Sequence, residues 1–252
     1  MPWNPDLYHK FQSERQAPFY DLLSLVTVRE NLRAVDLGCG TGELTAHLAE
    51  ALPGSDVLGV DNSPQMLERA RAYARPGLRF ELAGIEDVGG EWDLIFSNAA
   101  LHWVLSHSTL IPRLIRMLRT GGQLAVQMPS NHNHPVQSIV RWLSAEEPFF
   151  TAMGGFVRFS PVLQIDEYAD LLYANGVRDF TVYEKVYPHV LENADAMADF
   201  SSGTVLVPYL DRLPADLGEE FKRIYKDKLR EMYPGSPVFY PFRRTLFAAT
   251  LG

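Results

Sequence analysis

One cysteine, Cys39, stands in a chain of 252 residues. A single thiol excludes an internal disulfide framework and agrees with a reducing compartment. Its place beside glycines fits a small residue packed under a loop better than a nucleophile. The chain lacks any apolar run of about 18 residues, the shortest that crosses a bilayer as a helix. Met1-Pro2-Trp3-Asn4 does not open a secretory signal, so the expectation is a cytoplasmic protein without a membrane anchor. Positive charge is scarce: 23 Lys and Arg face 31 Asp and Glu, a net charge of −8. Such a chain has no broad basic surface, and neither nucleic acid nor an anionic membrane is an expected partner. Paired cysteines and paired histidines are missing too. His132 and His134, flanking Asn133, are too few for a zinc site, and no metal is expected.

What is present is enough apolar material for a self-sufficient core. With 46% hydrophobic and 21% charged residues, the chain suits one large domain, or one domain with an insertion. Its most informative stretch is Val35-Asp36-Leu37-Gly38-Cys39-Gly40-Thr41-Gly42, with Asp61 closing the next strand. Glycines 38, 40 and 42 allow a sharp turn and a close backbone approach to a ligand. An acid ending the second strand of a βαβ unit is placed to hold ribose hydroxyls. Both features point to a nucleoside-containing cofactor. In the dinucleotide fingerprint the sixth position from the first glycine is small, and a pyrophosphate rests on the helix that follows. Here that position is Glu43, a carboxylate that would repel a pyrophosphate. S-adenosylmethionine, phosphate-free and bearing a positive sulfonium, fits Asp36 and Glu43 better than NAD does.

The rest of the chain alternates strand and helix. Strands are expected near 33–37, 55–60, 78–82, 93–97 and 121–127, with later ones at 177–187 and 245–251. Ser63 and Pro64 signal a helix start. Leu110, Leu114 and Leu118 mark a helix that stops at Gly121-Gly122. Pro18 reads as the first turn of a helix carrying the stripe Phe19, Leu22, Leu23 and Val26. The expected fold is α/β, a Rossmann-like doubly wound and mostly parallel seven-stranded sheet. Three regions follow: an N-terminal lead-in at 1–32, a cofactor core at 33–128, and a helical cap at 129–252 whose last two strands complete the sheet. No internal repeat is visible.

Val35 to Gly42 resembles motif I of the class I S-adenosylmethionine-dependent methyltransferases. Asn62-Ser63-Pro64-Gln65-Met66-Leu67 resembles the segment after their ribose acid, and Asp93 to Trp103 their fourth strand and its active-site end. Further segments are similar to the trans-aconitate 2-methyltransferase family: Trp3 to Tyr8, Phe11, Ser13 to Arg15, Val126 to Pro129, Asn131, Tyr187 to His189, Gly203-Thr204, Pro208 to Leu210, Met232 to Pro234 and the Arg244 region. The resemblance implies methyl transfer from S-adenosylmethionine to a carboxylate of trans-aconitate or a related acid. It also implies that Arg15, Asp36, Gly38, Gly40, Gly42, Asp61, Asn62, Met66, Ile85, Asn98 and Trp103 hold the cofactor.

An ionised carboxylate needs no general base, so the work is alignment and exclusion of water. Cationic and polar anchors for such an acceptor are Tyr8, Asn131, His189 and Arg244, with Arg158 and Arg243 as weaker candidates that fit surface ion pairs as well. Tyr8 and Arg15 also suit the methionine carboxylate of the cofactor. His102 becomes a base only for a neutral acceptor, and a histidine bonded to a backbone carbonyl explains it equally. Two departures from the family pattern stand out. Gly84 replaces an Asp near the adenine, with Asp87 close enough in sequence to compensate. Val207 replaces an Arg, which removes a reader of substrate carboxylates. The acceptor is expected to be a small molecule and the protein a monomer or weak homodimer. Rival readings are a methyltransferase for another acid, a phenol or an amine, and a non-catalytic S-adenosylmethionine-binding module.

Overall fold

A computed structural model describes residues 12–252, with side chains from Gln16 onward. Helix α1 (Gln12–Leu23) leads into β1 (Arg33–Leu37), α2 (Glu43–Ala51), β2 (Asp56–Asp61), α3 (Pro64–Ala70), β3 (Leu78–Leu82), β4 (Trp92–Asn98), α4 (His107–Arg116) and β5 (Leu118–Pro129). After α5 (Pro135–Ser144), α6 (Phe149–Ala152) and α7 (Ile165–Ala174) comes β6 (Asp179–Leu191). Helices α8 (Ala194–Ser201), α9 (Val207–Leu210) and α10 (Ala215–Met232) precede the final strand β7 (Val238–Thr250). The seven strands form one sheet in the order β3-β2-β1-β4-β5-β7-β6. The first five pair in parallel, and β7 runs antiparallel to β5. This is the doubly wound architecture that the sequence pattern implies. β1 lies between β2 and β4, where the winding reverses, so the crevice for a ligand opens at the carboxyl ends of β1 and β4.

The chain divides into two compact units. One comprises residues 13–130, 161–185 and 244–252 and holds the sheet core; the other comprises 131–160 and 186–243. The first buries Val35, Ile95, Leu124 and Phe247 from the strands against Ile111 and Leu114 of α4 and Leu172 of α7. The second has its own core, in which Phe221, Tyr225 and Leu229 of α10 join Val136, Val140 and Leu143 of α5 and Met197 of α8. The helical cap expected from residue 129 onward parts at residue 160, because Tyr168 and Leu172 of α7 bury themselves among sheet-core residues.

Three sequence expectations shift. Leu118 belongs to β5 rather than to the preceding helix: its strand partner is Trp92, and α4 stops with Met117 as its C-cap. β6 and β7 extend past the expected limits, to Leu191 and back to Val238. Pro18 lies inside α1 rather than in its first turn, while Phe19, Leu22 and Val26 are buried as the stripe requires.

One buried polar cluster fixes the segment after β4. His107 Nε2 lies 2.8 Å from the carbonyl oxygen of Leu101, so that nitrogen donates. Nδ1 then accepts from the Tyr168 hydroxyl at 2.5 Å, and the hydroxyl oxygen accepts from Leu163 N–H at 3.2 Å. Burial lowers the His107 pKa and keeps the ring neutral. Tyr168→Phe removes the hydroxyl and leaves two buried groups without it, at a cost of about 1–3 kcal/mol. Urea denaturation of the variant against the native protein measures that loss, and an unchanged midpoint would show that the cluster adds no stability.

Candidate functional site

The loop after β1 is built by three left-handed glycines: Gly38 (φ 80°), Gly40 (φ 54°) and Gly42 (φ 79°). Gly38 and Gly42 are required by packing as well as by conformation. A Cβ on Gly38 would fall 2.2 Å from Ala100 Cβ, and one on Gly42 would fall 2.8 Å from Ala70 Cα. Gly40 is different: a Cβ there meets nothing within 4 Å. The loop thus packs at both ends and opens at its middle, the place where a ligand can touch backbone.

Asp61 locks that loop to the next crossover. Its Oδ2 accepts from Gly40 N–H at 3.0 Å and its Oδ1 from Ser63 N–H at 2.9 Å. Ser63 caps α3, its hydroxyl accepting from Met66 N–H at 3.4 Å, with Pro64 at the helix start as expected. Each carboxylate oxygen keeps a second lone pair for the hydroxyls of a ribose. Asp36 is buried, and the Thr45 hydroxyl donates to its Oδ2 at 2.6 Å. Burial pushes the Asp36 carboxyl up to about 7; the Thr45 bond opposes the rise and the charge of Asp61 adds to it. Cys39 is likewise buried, and burial raises its thiol pKa, which suits the packing role. Glu43 stands in the first turn of α2, where the helix dipole favours it. Ile85 reaches the loop from the far side, its Cδ1 3.9 Å from the Cβ position of Gly38. A Cβ on Gly84 would lie 2.7 Å from Asp87 Oδ2, so the Asp87 carboxylate fills the space that a side chain at 84 would take.

At the end of β4, Ser97 donates its hydroxyl to Leu37 O at 2.9 Å, pinning β4 to β1. Asn98 follows, and Ala99 then takes a left-handed conformation (φ 56°) that a non-glycine residue rarely adopts. Gln127 Nε2 donates to Asn98 Oδ1 at 2.8 Å, and Arg244 Nη1 donates to Gln127 Oε1 at 2.9 Å. The sequence marks Asn98 and Arg244 as site residues and Gln127 only as part of the family segment Val126 to Pro129, yet Gln127 joins the two and is fully buried. The available signal was a polar residue inside the apolar run Leu124-Ala125-Val126-Gln127-Met128. His102 and Trp103 lie in the short helical turn after Ala100, their rings 4.9 Å apart, and Trp103 is half-exposed.

Other expected residues lie in the second unit or outside the described set. Asn131 is buried and accepts from Arg243 N–H through Oδ1 at 2.9 Å. His189 is buried among the rings of Phe200, Tyr240 and Phe242. Val207 opens α9 and is 41% exposed. Arg158 is shifted below the usual arginine range by burial, near Tyr209. His134 Nδ1 caps α5 by accepting from Val136 N–H, and burial with the charge of Arg243 lowers its pKa to about 4. No group of three or more His, Cys, Asp or Glu suited to a metal occurs among the described residues. Tyr8 lies outside the described residues, as does the side chain of Arg15.

The raised Asp36 pKa gives a pH signature. Between about pH 4 and 7 the folded protein holds a proton that the unfolded chain has released, so this contribution to stability falls as pH rises and levels off above 7. Ionising the buried carboxyl costs on the order of a few kcal/mol. Asp36→Asn stays neutral throughout. Its Tm relative to the native protein should therefore climb from pH 4 to 7 and then plateau; a difference that stays flat with pH would refute the buried, proton-holding carboxyl.

Comparison with known proteins agrees with this geometry. A family profile described as a methyltransferase domain matches residues 29–174. A trans-aconitate 2-methyltransferase of Deinococcus radiodurans is 46% identical over 99% of this chain and 98% of its own length. The protein of the same name from Variovorax paradoxus is 40% identical over 93% of this chain and 91% of its own. Among solved structures, the YcgJ protein of Bacillus subtilis superposes with a TM-score of 0.62 at 18% identity, covering 94% of this chain and 98% of its own, a likeness of fold. A packed glycine loop open at Gly40, an anchored acid at Asp61 and full-length likeness to these relatives place the chain in the trans-aconitate 2-methyltransferase family of S-adenosylmethionine-dependent methyltransferases.

Proposed function

We propose that the protein esterifies a carboxylate of trans-aconitate, with S-adenosylmethionine as methyl donor. The observation that carries the reading is the full-length likeness to relatives bearing that name, together with an arginine fixed on the sheet unit at the end of β7's pairing with β5. Bound in the crevice, S-adenosylmethionine would supply an electrophilic methyl carbon for an ionised carboxylate, a transfer that asks no residue of the chain to move a proton. The protein's residues position the two reactants. Asp61, held by Gly40 and Ser63 N–H, presents its remaining lone pairs to ribose hydroxyls. Gly40 lets backbone reach the ligand, while Asn62, Met66, Ile85 and Trp103 complete the cofactor set. Arg244 anchors the acid with a charge-assisted bond, and Tyr8, Asn131 and His189 are the further substrate candidates. His102 has no proton to take from an ionised acid. Net charge of −8 favours a small-molecule acceptor over nucleic acid or an anionic membrane. Among the described residues no helix is long and apolar enough to cross a membrane. A cytoplasmic monomer or weak homodimer completes this reading.

Val207, half-exposed where the family resemblance calls for an arginine, favours a second reading in which the acceptor is another small acid. Incubation with S-adenosylmethionine and a panel of mono-, di- and tricarboxylic acids, read by mass spectrometry, separates the two. Trans-aconitate should gain one methyl group and be preferred to monoacids; methylation of a monoacid alone would overturn the first reading. Asp61→Ala should weaken S-adenosylhomocysteine binding at least about tenfold, because both the loop anchor and the ribose partner go. Calorimetric titration measures it, and an unchanged affinity would move the ribose site elsewhere.

A further inference from the structure

The strand register brings three residues together that lie far apart in sequence. Asn98 of β4 pairs directly with Gln127 of β5, and Gln127 pairs with Leu246 of β7 while Pro129 pairs with Arg244. Gln127 and Pro129 are two apart on one strand, as are Arg244 and Leu246 on the other, so these side chains share one face of the sheet and Gln127 meets Arg244 diagonally. The result is a line: Arg244 Nη1 to Gln127 Oε1 at 2.9 Å, then Gln127 Nε2 to Asn98 Oδ1 at 2.8 Å. The backbone strengthens the same junction, with Ala99 N–H donating to Gln127 O at 2.8 Å beside the left-handed turn at Ala99.

The polarity of this line is fixed by chemistry. A guanidinium has donors only, so the amide oxygen of Gln127 must face Arg244. The Gln127 amide nitrogen must then face Asn98, whose oxygen turns toward it. The NH2 group of Asn98 is thereby left to donate elsewhere. Gln127 is fully buried and cannot exchange this arrangement for water.

We infer that Gln127 is a positioning residue for acceptor specificity: through Arg244 and Asn98 it makes this edge of the sheet present hydrogen-bond donors, the partners of a carboxylate. The inference rests on the proposed acid acceptor. A neutral amide is the residue type that does this. A carboxylate at 127 would accept from Arg244 with one oxygen and face the Asn98 oxygen with the other, turning the Asn98 amide round and adding a negative charge where an anion is to bind. An apolar residue would release both neighbours.

Steady-state kinetics of Gln127→Glu, Gln127→Leu, Arg244→Ala and the Gln127→Leu/Arg244→Ala double variant test it, with melting temperature and S-adenosylhomocysteine affinity measured on each. Gln127→Leu should raise the acceptor KM up to about tenfold with a smaller change in the KM for S-adenosylmethionine. Gln127→Glu should raise it further, and more for a tricarboxylic acid than for a monoacid, because the added charge repels each extra carboxylate. In the double variant, Gln127→Leu should add little to Arg244→Ala, since the two act through one contact. Equal penalties for mono- and tricarboxylic acids, full additivity, or a lower Tm with an unchanged acceptor KM would overturn the inference. If the native protein itself fails to methylate trans-aconitate or any other acid, the proposed function falls, and this inference with it; if the native protein turns the acid over and only the Gln127 results fail, the inference alone falls.

Discussion

Asp61 carries two backbone N–H groups on one carboxylate, and the donor side of the molecule depends on it. One N–H belongs to Gly40 in the loop after β1 and the other to Ser63 at the start of α3. Two crossovers of a parallel sheet end near one another only because their strands are neighbours, and β1 and β2 pair along their length from Arg33–Asp56 to Leu37–Val60. Gly38 and Cys39 N–H both bond Val60 O, so the glycine turn leaves the sheet at a fixed height. The turn can then be left-handed at three successive glycines without collapsing, because Ala100 and Ala70 close its flanks. A rigid loop with one open position costs little further order when a ligand arrives.

A second constraint is the suppression of charge beneath that loop. Asp36 and Asp61 are close enough to interact, and burial leaves Asp36 part-protonated near neutrality while Asp61 is the acid held by backbone donors. One carboxylate stays buried and bonded to Thr45; the other holds the Gly40 and Ser63 N–H groups. Of the two acids that the sequence sets near the sulfonium, Asp36 lies buried on Thr45 and Glu43 stands in the first turn of α2, while Asp61 is bonded to the loop at its open position.

Much of this was legible in the chain. The period of strands and helices gave the sheet, and Gly38 to Gly42 with Asp61 gave the cofactor class, since both rest on local chemistry: left-handed backbone, strand ends and helix starts. Less local features were hidden. Leu118 read as helical because its spacing from Leu110 and Leu114 is helical, yet its pairing with Trp92 places it in β5. Residues 161–176 read as cap because prolines divide that stretch into short pieces, yet Tyr168 and Leu172 bury against the sheet. The relay through Gln127 was invisible because it depends on β7 lying antiparallel beside β5, a register no single segment encodes. Asp87 beside Gly84 was foreseen only as a proximity, and the chain's turn there, with Asp87 N–H on Gly84 O, is what brings the carboxylate in.

The reaction itself explains why a polycarboxylic acceptor suits such a site. A positive donor and a negative oxygen lose charge together as the methyl group moves, so a strong cation on the reacting carboxylate would hold the ground state more firmly than the transition state and slow the step. An acid with several carboxylates escapes this: one can be gripped while another reacts. On the proposed reading, Arg244, oriented by Gln127 in the sheet unit, would work best on a carboxylate that does not take the methyl group. Such a grip would be equal in ground and transition states and would set affinity and alignment rather than barrier height. A monocarboxylic acid must offer the same group for both purposes, so that division of labour would favour acids with more than one carboxylate.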